Sequence, residues 1–274
     1  MRPTGGFWLA LVAILIWAIG ASAAADESEL YRTTVFVTGR GEAERVRGTA
    51  LAFQDVLVKV SGDPRLGRDP RVAEMAKEAG ALVVSYDYRD RMQGLALHDE
   101  QGTRDRPHDL TVHFDPAKID AALASLGSTP WTGPRPRLVV LLAIQDQQTR
   151  YVLAQDGTRG LSERQALAAV AANRALPMVL PMEALLDAER LTYDALAAKA
   201  PPELARAANA AGGDAALSGT LVWTESVLGW SARWHMAAPG RDYRWGVSGV
   251  SFDDAFRNAI DGAIEILSDH GAPG

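Results

Sequence analysis

The sequence predicts an α+β (mixed α/β) protein of two small modules, each a mostly antiparallel or mixed sheet covered by helices, behind a signal peptide. Three observations predict it. Short runs with a period of two alternate with longer runs of period 3.6, so strands and helices are interleaved along the chain. A stretch with three prolines, STPWTGPRPR (residues 128–137), separates two such sets. An uncharged apolar run, FWLALVAILIWAI, stands near the start with small residues behind it. The expected organisation is residues 1–25 as leader, 26–130 as the first module, 131–137 as linker, 138–270 as the second module and 271–274 as a tail.

The leader comes first. Arg2 supplies a positive start, Phe7 to Ile19 an apolar stretch of signal-peptide length, and GASAAA (residues 20–25) the small side chains a signal peptidase reads. Cleavage is expected after Ala23, with Ala24 and Ala25 as alternatives, and would release the chain into the periplasm. An uncleaved leader would anchor it to the inner membrane instead. No later stretch is apolar enough to cross a bilayer. The chain has no cysteine, which excludes disulfides, thiolate metal sites, a thiol nucleophile and a lipid on a processed amino-terminal cysteine. A net charge of −6 argues against nucleic acid and against anionic lipid surfaces, because both are held by clustered Lys and Arg.

In the first module, Tyr31, Thr33, Val35 and Val37 alternate with Arg32, Thr34 and Phe36, the pattern of a strand. The following helix repeats Val46, Ala50, Phe53, Leu57 and Val60 as a buried stripe, with Asp55 and Lys59 off it as an i,i+4 pair. SGDPRLGRDP is a turn-rich break, RVAEMAKEAG a shorter helix, and ALVVSYDYR and DLTVHFD are strands, the second with Leu110, Val112 and Phe114 inward. DPAKIDAALASLG closes the unit as a helix with Asp115 at the N-cap, Pro116 in the first turn and Gly127 past the end.

In the second module, LVVLLAI is apolar on both faces, as a covered central strand is, and RYVLAQDG returns beside it as a hairpin. LSERQALAAVAANRA is a helix with Ser162 and Gln165 placed for a capping box. PMVLP is a short strand, and PPELARAANAAGG a helix stopped by glycines. Three strands follow, AALSGTLVW, WSARWHMA and YRWGVSG. The last helix, SFDDAFRNAIDGAIEILS, is capped by Ser251 with Asp254 three residues on.

The residues that would carry chemistry are few. Gly39 and Gly41 lie between a strand and a helix, where a phosphate loop would be, yet Glu44 replaces the third glycine of that pattern. Glu42 and Glu44 would repel the anion that such a helix start binds. His108 and His113 point to opposite faces of their strand, and His113 with Asp115 would need further ligands to hold a metal. No G-x-S-x-G or S-x-x-K occurs. Trp223, Trp230, Trp234 and Trp245 gather on adjacent strands, either as core beneath the last helix or as an exposed platform for a peptide or glycan strand. No catalytic, cofactor-binding or metal-binding residue is assigned.

YRTTVFV, AERVRGTALAFQDVLVKVSGDPRL, LVVSYDYR, LTVHFD and WTGPRPRLVVLLA together resemble the proteobacterial domain-of-unknown-function family numbered 2066. That resemblance implies an exported envelope protein without a known activity. ELARAANAAGGDAALSGTLVW, in the second half, is similar in topology to the amino-terminal module of the translocation protein TolB, which implies contacts with envelope proteins. The resulting expectation is a non-enzymatic accessory module that binds an unidentified envelope protein, with a hydrolase or binding protein for cell-wall glycan or peptide as the alternative. Arg45, Asp63, Trp131 and Arg135 are the expected contacts of the inter-module seam or of a partner. In that scheme Arg45 pairs with Asp63 and Trp131 wedges the linker.

Overall fold

The computed structural model describes residues 27–94, 105–199 and 201–273; the leader and its cleavage position lie outside them. The first half contains α1 (Glu27–Leu30), β1 (Arg32–Thr38), α2 (Glu42–Ser61), α3 (Pro70–Met75), β2 (Val83–Asp90), β3 (Pro107–Phe114) and α4 (Pro116–Ser125). Its strands form an antiparallel sheet in the order β1-β3-β2, so β1 is an edge. α2 covers one face. Leu110, Val112 and Phe114 point into that face as expected, and Asp115 accepts from the Lys118 N–H at 3.3 Å to cap α4.

The expected stripe on α2 is corrected in its first turns. Val46 is 56% exposed, and the sheet side is held by Gly48, Thr49, Ala52, Phe53, Val56, Leu57 and Val60. Gly48 is the reason: a Cβ there would lie 2.7 Å from Val37 Cγ1 and 2.8 Å from Leu110 Cδ2, so the helix rests on the sheet at its smallest residue. A second correction concerns Asp55 and Lys59, which do not pair. Lys59 is buried among backbone carbonyls, and Asp55 bonds to Arg174.

The second half contains β4 (Leu138–Asp146), β5 (Thr149–Val152), α5 (Leu161–Asn173), β6 (Met178–Val179), α6 (Glu183–Ala188), α7 (Tyr193–Ala198), α8 (Pro201–Ala210), β7 (Ala215–Thr224), β8 (Gly229–Ala238), β9 (Arg241–Val250) and α9 (Phe252–Leu267). The mixed sheet runs β5-β4-β7-β8-β9, with β6 beside the start of β4; β4 is parallel to β6 and β7, and the other pairings are antiparallel. The helices α6 and α7 are too short to show a period and escape the sequence reading. The Ser162–Gln165 capping box does not form, because the N-cap lies two residues earlier, at Gly160 with φ 73° and without a side-chain cap. At α9 the expected cap is present: Ser251 Oγ accepts from the Asp254 N–H at 3.1 Å.

Every side chain of β4 from Leu138 to Ile144 is fully buried. Val139, Leu141 and Ala143 pack with residues of α6, α7 and α8, while Leu138, Val140, Leu142 and Ile144 belong to the larger core with α5 and α9. That larger core is continuous with Phe53, Leu57 and Leu110 of the first half. The two sheets therefore share one apolar interior, with α2, α5 and α9 between them.

Candidate functional site

At the carboxyl end of α2 the chain meets the second half. Gly62 takes φ 75°, and a Cβ there would come within 2.7 Å of Ser268 Cβ and 3.0 Å of the Trp131 ring. The closeness lets Ser268 Oγ donate to Gly62 O at 2.9 Å, tying the end of α9 to the end of α2. The Trp131 N–H donates to Val60 O at 2.8 Å. Arg135 stacks on Trp131, 4.4 Å from the ring centre, and donates to Lys59 O at 2.6 Å and Arg174 O at 2.8 Å. Those carbonyls end α2 and α5, where helix dipoles favour a cation. Burial still holds Arg135 below the usual guanidinium range, at about 10.

Of the four residues expected at the seam, Trp131 and Arg135 come together and the other two do not join them as supposed. Arg45 lies near the opposite end of α2, about 27 Å from Asp63 at 1.5 Å per helical residue. It faces Tyr86 at 5.9 Å and Glu42 at 3.9 Å. Asp63 is paired within its own turn: Oδ1 accepts from the Arg65 N–H at 3.0 Å and from Nε at 2.7 Å, and Oδ2 from Nη2 at 2.9 Å. Burial opposes its ionisation, but the Arg65 bonds outweigh it and hold the carboxyl below its ordinary pKa.

The residues that sequence reasoning missed are Lys59, Arg174, Asp261 and Glu265. Arg174 follows the last turn of α5 with its side chain 7% exposed, donating from Nη1 to Asp55 at 2.8 Å and from Nε to Asp261 at 2.7 Å. Burial works against its charge, and the two carboxylates overcome that, so its pKa lies above the usual arginine value. The signal for Lys59 was available: it is the one charge inside the apolar run VLVKV.

Lys59 Nζ donates to Glu29 O at 2.6 Å and Arg32 O at 2.9 Å, fastening α1 and the start of β1 to α2. Burial lowers its pKa from 10.5 to about 8. The folded chain therefore releases this proton before the unfolded chain does. The burden of burying the charge is full below pH 8 and is relieved as pH rises towards 10.5. Urea unfolding is expected to show wild type gaining stability relative to Lys59→Met by about 3 kcal/mol over that window. An unchanged difference would assign Lys59 an ordinary pKa.

A groove of about 980 Å³ opens between α2, the turn Pro64–Arg68 and α9. Thr34, Phe36, Leu51, Arg68, Val247 and Glu265 are among its lining residues. Most of its charges are engaged: Arg65 with Asp63, Arg257 with Asp254 at 2.9 Å, and Arg174 with its two carboxylates. Glu265, one helical turn beyond Asp261, is buried, and burial raises its pKa above the ordinary value despite Arg65 at 3.8 Å. Among the described residues, Arg68 forms no ion pair.

The other motifs are structural. In the glycine turn, Glu44 accepts from the Thr38 N–H at 2.8 Å and from Arg47, so the chain's own carboxylate stands at the helix start. The Arg47 and Thr38 bonds lower its pKa to about 2. His113 bonds to Asp87 at 2.8 Å rather than sharing a site with Asp115, which is spent on the α4 cap. Among the described residues no cluster of three or more His, Asp or Glu side chains could hold a metal, and no helix is long and apolar enough to cross a membrane. Trp230 and Trp234 are core beneath α9, and Trp223 packs edge-on against Trp230 at 5.5 Å. Trp245 Nε1 donates to Asn258 O at 3.0 Å. The platform alternative is thereby corrected: these rings are occupied with the sheet and the helix above it.

Residues 24–132 match a family described as "Domain of unknown function (DUF8605)". As with the resemblance stated above, the description carries no activity, but the family is not the one numbered 2066. The match spans the first half and ends beside Trp131, so it does not reach the segment likened to TolB. No curated protein matches the chain.

Proposed function

We propose that the protein is an exported, non-catalytic accessory module of the cell envelope that holds a protein partner in the groove between its two halves. The observation that carries this reading is the state of the groove's charges. Arg65, Arg174 and Arg257 are neutralised by neighbouring carboxylates, which leaves Arg68, in no ion pair though its charge acts on Glu265, and the half-exposed side chains of Leu51 and Phe36, the latter with Arg91 5.7 Å from its ring centre, to meet a ligand. Paired charges beside apolar side chains resemble an interface more than a set of reacting groups. Export rests on the apolar run Phe7 to Ile19 and the small residues after it.

The test uses peptides selected on the purified protein from a phage-displayed library of random dodecamers. Leu51→Asp and Arg68→Glu are expected to weaken the selected peptides at least tenfold while leaving the melting temperature within a few degrees. Unchanged affinities would remove the groove from consideration. Amino-terminal sequencing of protein from a periplasmic extract tests export; a chain found only in the cytosol, still beginning at Met1, would overturn that part.

The hydrolase reading is favoured by one observation, the buried Glu265 with its raised pKa one turn from the ion-paired Asp261. A buried carboxyl with a raised pKa near a second carboxylate is the kind of arrangement that acid–base cleavage of a glycosidic bond uses. Incubation with purified cell-wall glycan decides it: product release abolished by Glu265→Gln would support hydrolysis, and none from wild type would end it.

A further inference from the structure

The backbone of β1 shows how a partner would be recognised. In the β1–β3 ladder, Phe114 N–H donates to Tyr31 O and Gly39 N–H to Arg106 O, so the odd-numbered residues of β1 are the ones hydrogen-bonded to β3. The even-numbered residues point their N–H and C=O groups away from the sheet. Two ends of this outward row are already taken. Arg32 O accepts from Lys59 Nζ, and the Thr38 N–H donates to Glu44. Between them, Thr34 and Phe36 each keep a free N–H and C=O among the described residues, and both residues line the groove.

We infer that the groove takes an extended peptide segment that adds to β1 as a further strand, paired through Thr34 and Phe36 and carrying a carboxylate that meets Arg68. This rests on the protein-binding reading above and specifies its mechanism. Donor and acceptor repeat along the free edge at the spacing of a strand, which only another extended backbone matches along its length. Chain termination of the edge by Lys59 and Glu44 limits pairing to a short register, whereas an unguarded edge would be open to any strand. The edge also opens into a groove flanked by α2 and α9, which suits a single segment better than the edge of a second globular copy. Arg68 supplies the charge preference, since the other groove cations have partners on their own chain.

Hydrogen exchange tests this directly on the full chain, with a selected dodecamer as probe. The amides of Thr34 and Phe36 are expected to exchange quickly in the free protein and at least tenfold more slowly with peptide, while those of Thr33, Val35 and Val37 are protected throughout. Thr34→Pro removes one outward N–H and the exposed hydroxyl bond to Thr111 at 2.8 Å but spares the backbone bonds to β3, as proline on an edge strand can, and is expected to weaken the peptide at least tenfold. If that variant misfolds, peptides N-methylated at alternate residues take its place, with loss expected in only one of the two registers. Should Leu51→Asp and Arg68→Glu weaken binding while the Thr34 and Phe36 amides stay unprotected, the groove stands and strand addition is overturned. Should none of these changes matter, both ideas fall.

Discussion

Replacing Arg174 with Met is expected to lower the unfolding free energy by about 3 kcal/mol, since it leaves two carboxylates at the junction without their cation. The low end of the range for breaking a buried pair applies because Asp55 and Asp261 keep 36% and 23% of their side-chain surface and can turn towards water. In a chain of this size the melting temperature should fall by roughly 6–12 °C. Arg174 joins α5 to α2 of the first half and to α9 of the second, so calorimetry of the variant should also show a broader or split transition. A triple variant, Arg174→Met with Asp55→Asn and Asp261→Asn, should recover much of the loss, because the desolvated charges disappear together. A single variant as stable as wild type would show that the ion triad does not hold the halves.

Trp234→Ala is expected to be the larger core lesion, at about 3–5 kcal/mol, because the ring is 2% exposed and fills the space between the sheet and α9. Its counterpart across the ladder is Gly219, directly opposite Trp234 in register. A Cβ on Gly219 would overlap the Trp234 ring, so Gly219→Ala alone should destabilise by about 2 kcal/mol through overpacking. In a Trp234→Leu background the same alanine should cost less, the remaining cost coming from Arg233 O, which would lie 2.9 Å from its Cβ. Denaturant unfolding of the four proteins gives the coupling; additive effects would mean that the ring does not rest on this glycine.

The legible parts of this protein are those whose cause lies within a few residues. The alternation around Val35 makes a strand, Asp115 and Ser251 cap the helices they precede, and the doubly apolar run from Leu138 is a strand with both faces covered. Reading failed wherever a residue's role depended on distant chain. Arg45 and Asp63 looked like a seam pair, yet α2 holds them at its two ends and Arg65 reaches Asp63 first. Lys59 looked like a surface charge until the carbonyls of Glu29 and Arg32, about 30 positions earlier, surrounded it.

Periodicity, capping chemistry and the absence of cysteine were enough to establish strands, helices and the lack of thiol chemistry, because each follows from neighbouring side chains. The Arg174 triad, the buried Glu265 and the two free residues on the β1 edge arose from tertiary assembly. Their partners lie up to 119 positions apart in the chain, and burial, which determines whether a charge is paired or a backbone group left open, is a property of the packed molecule.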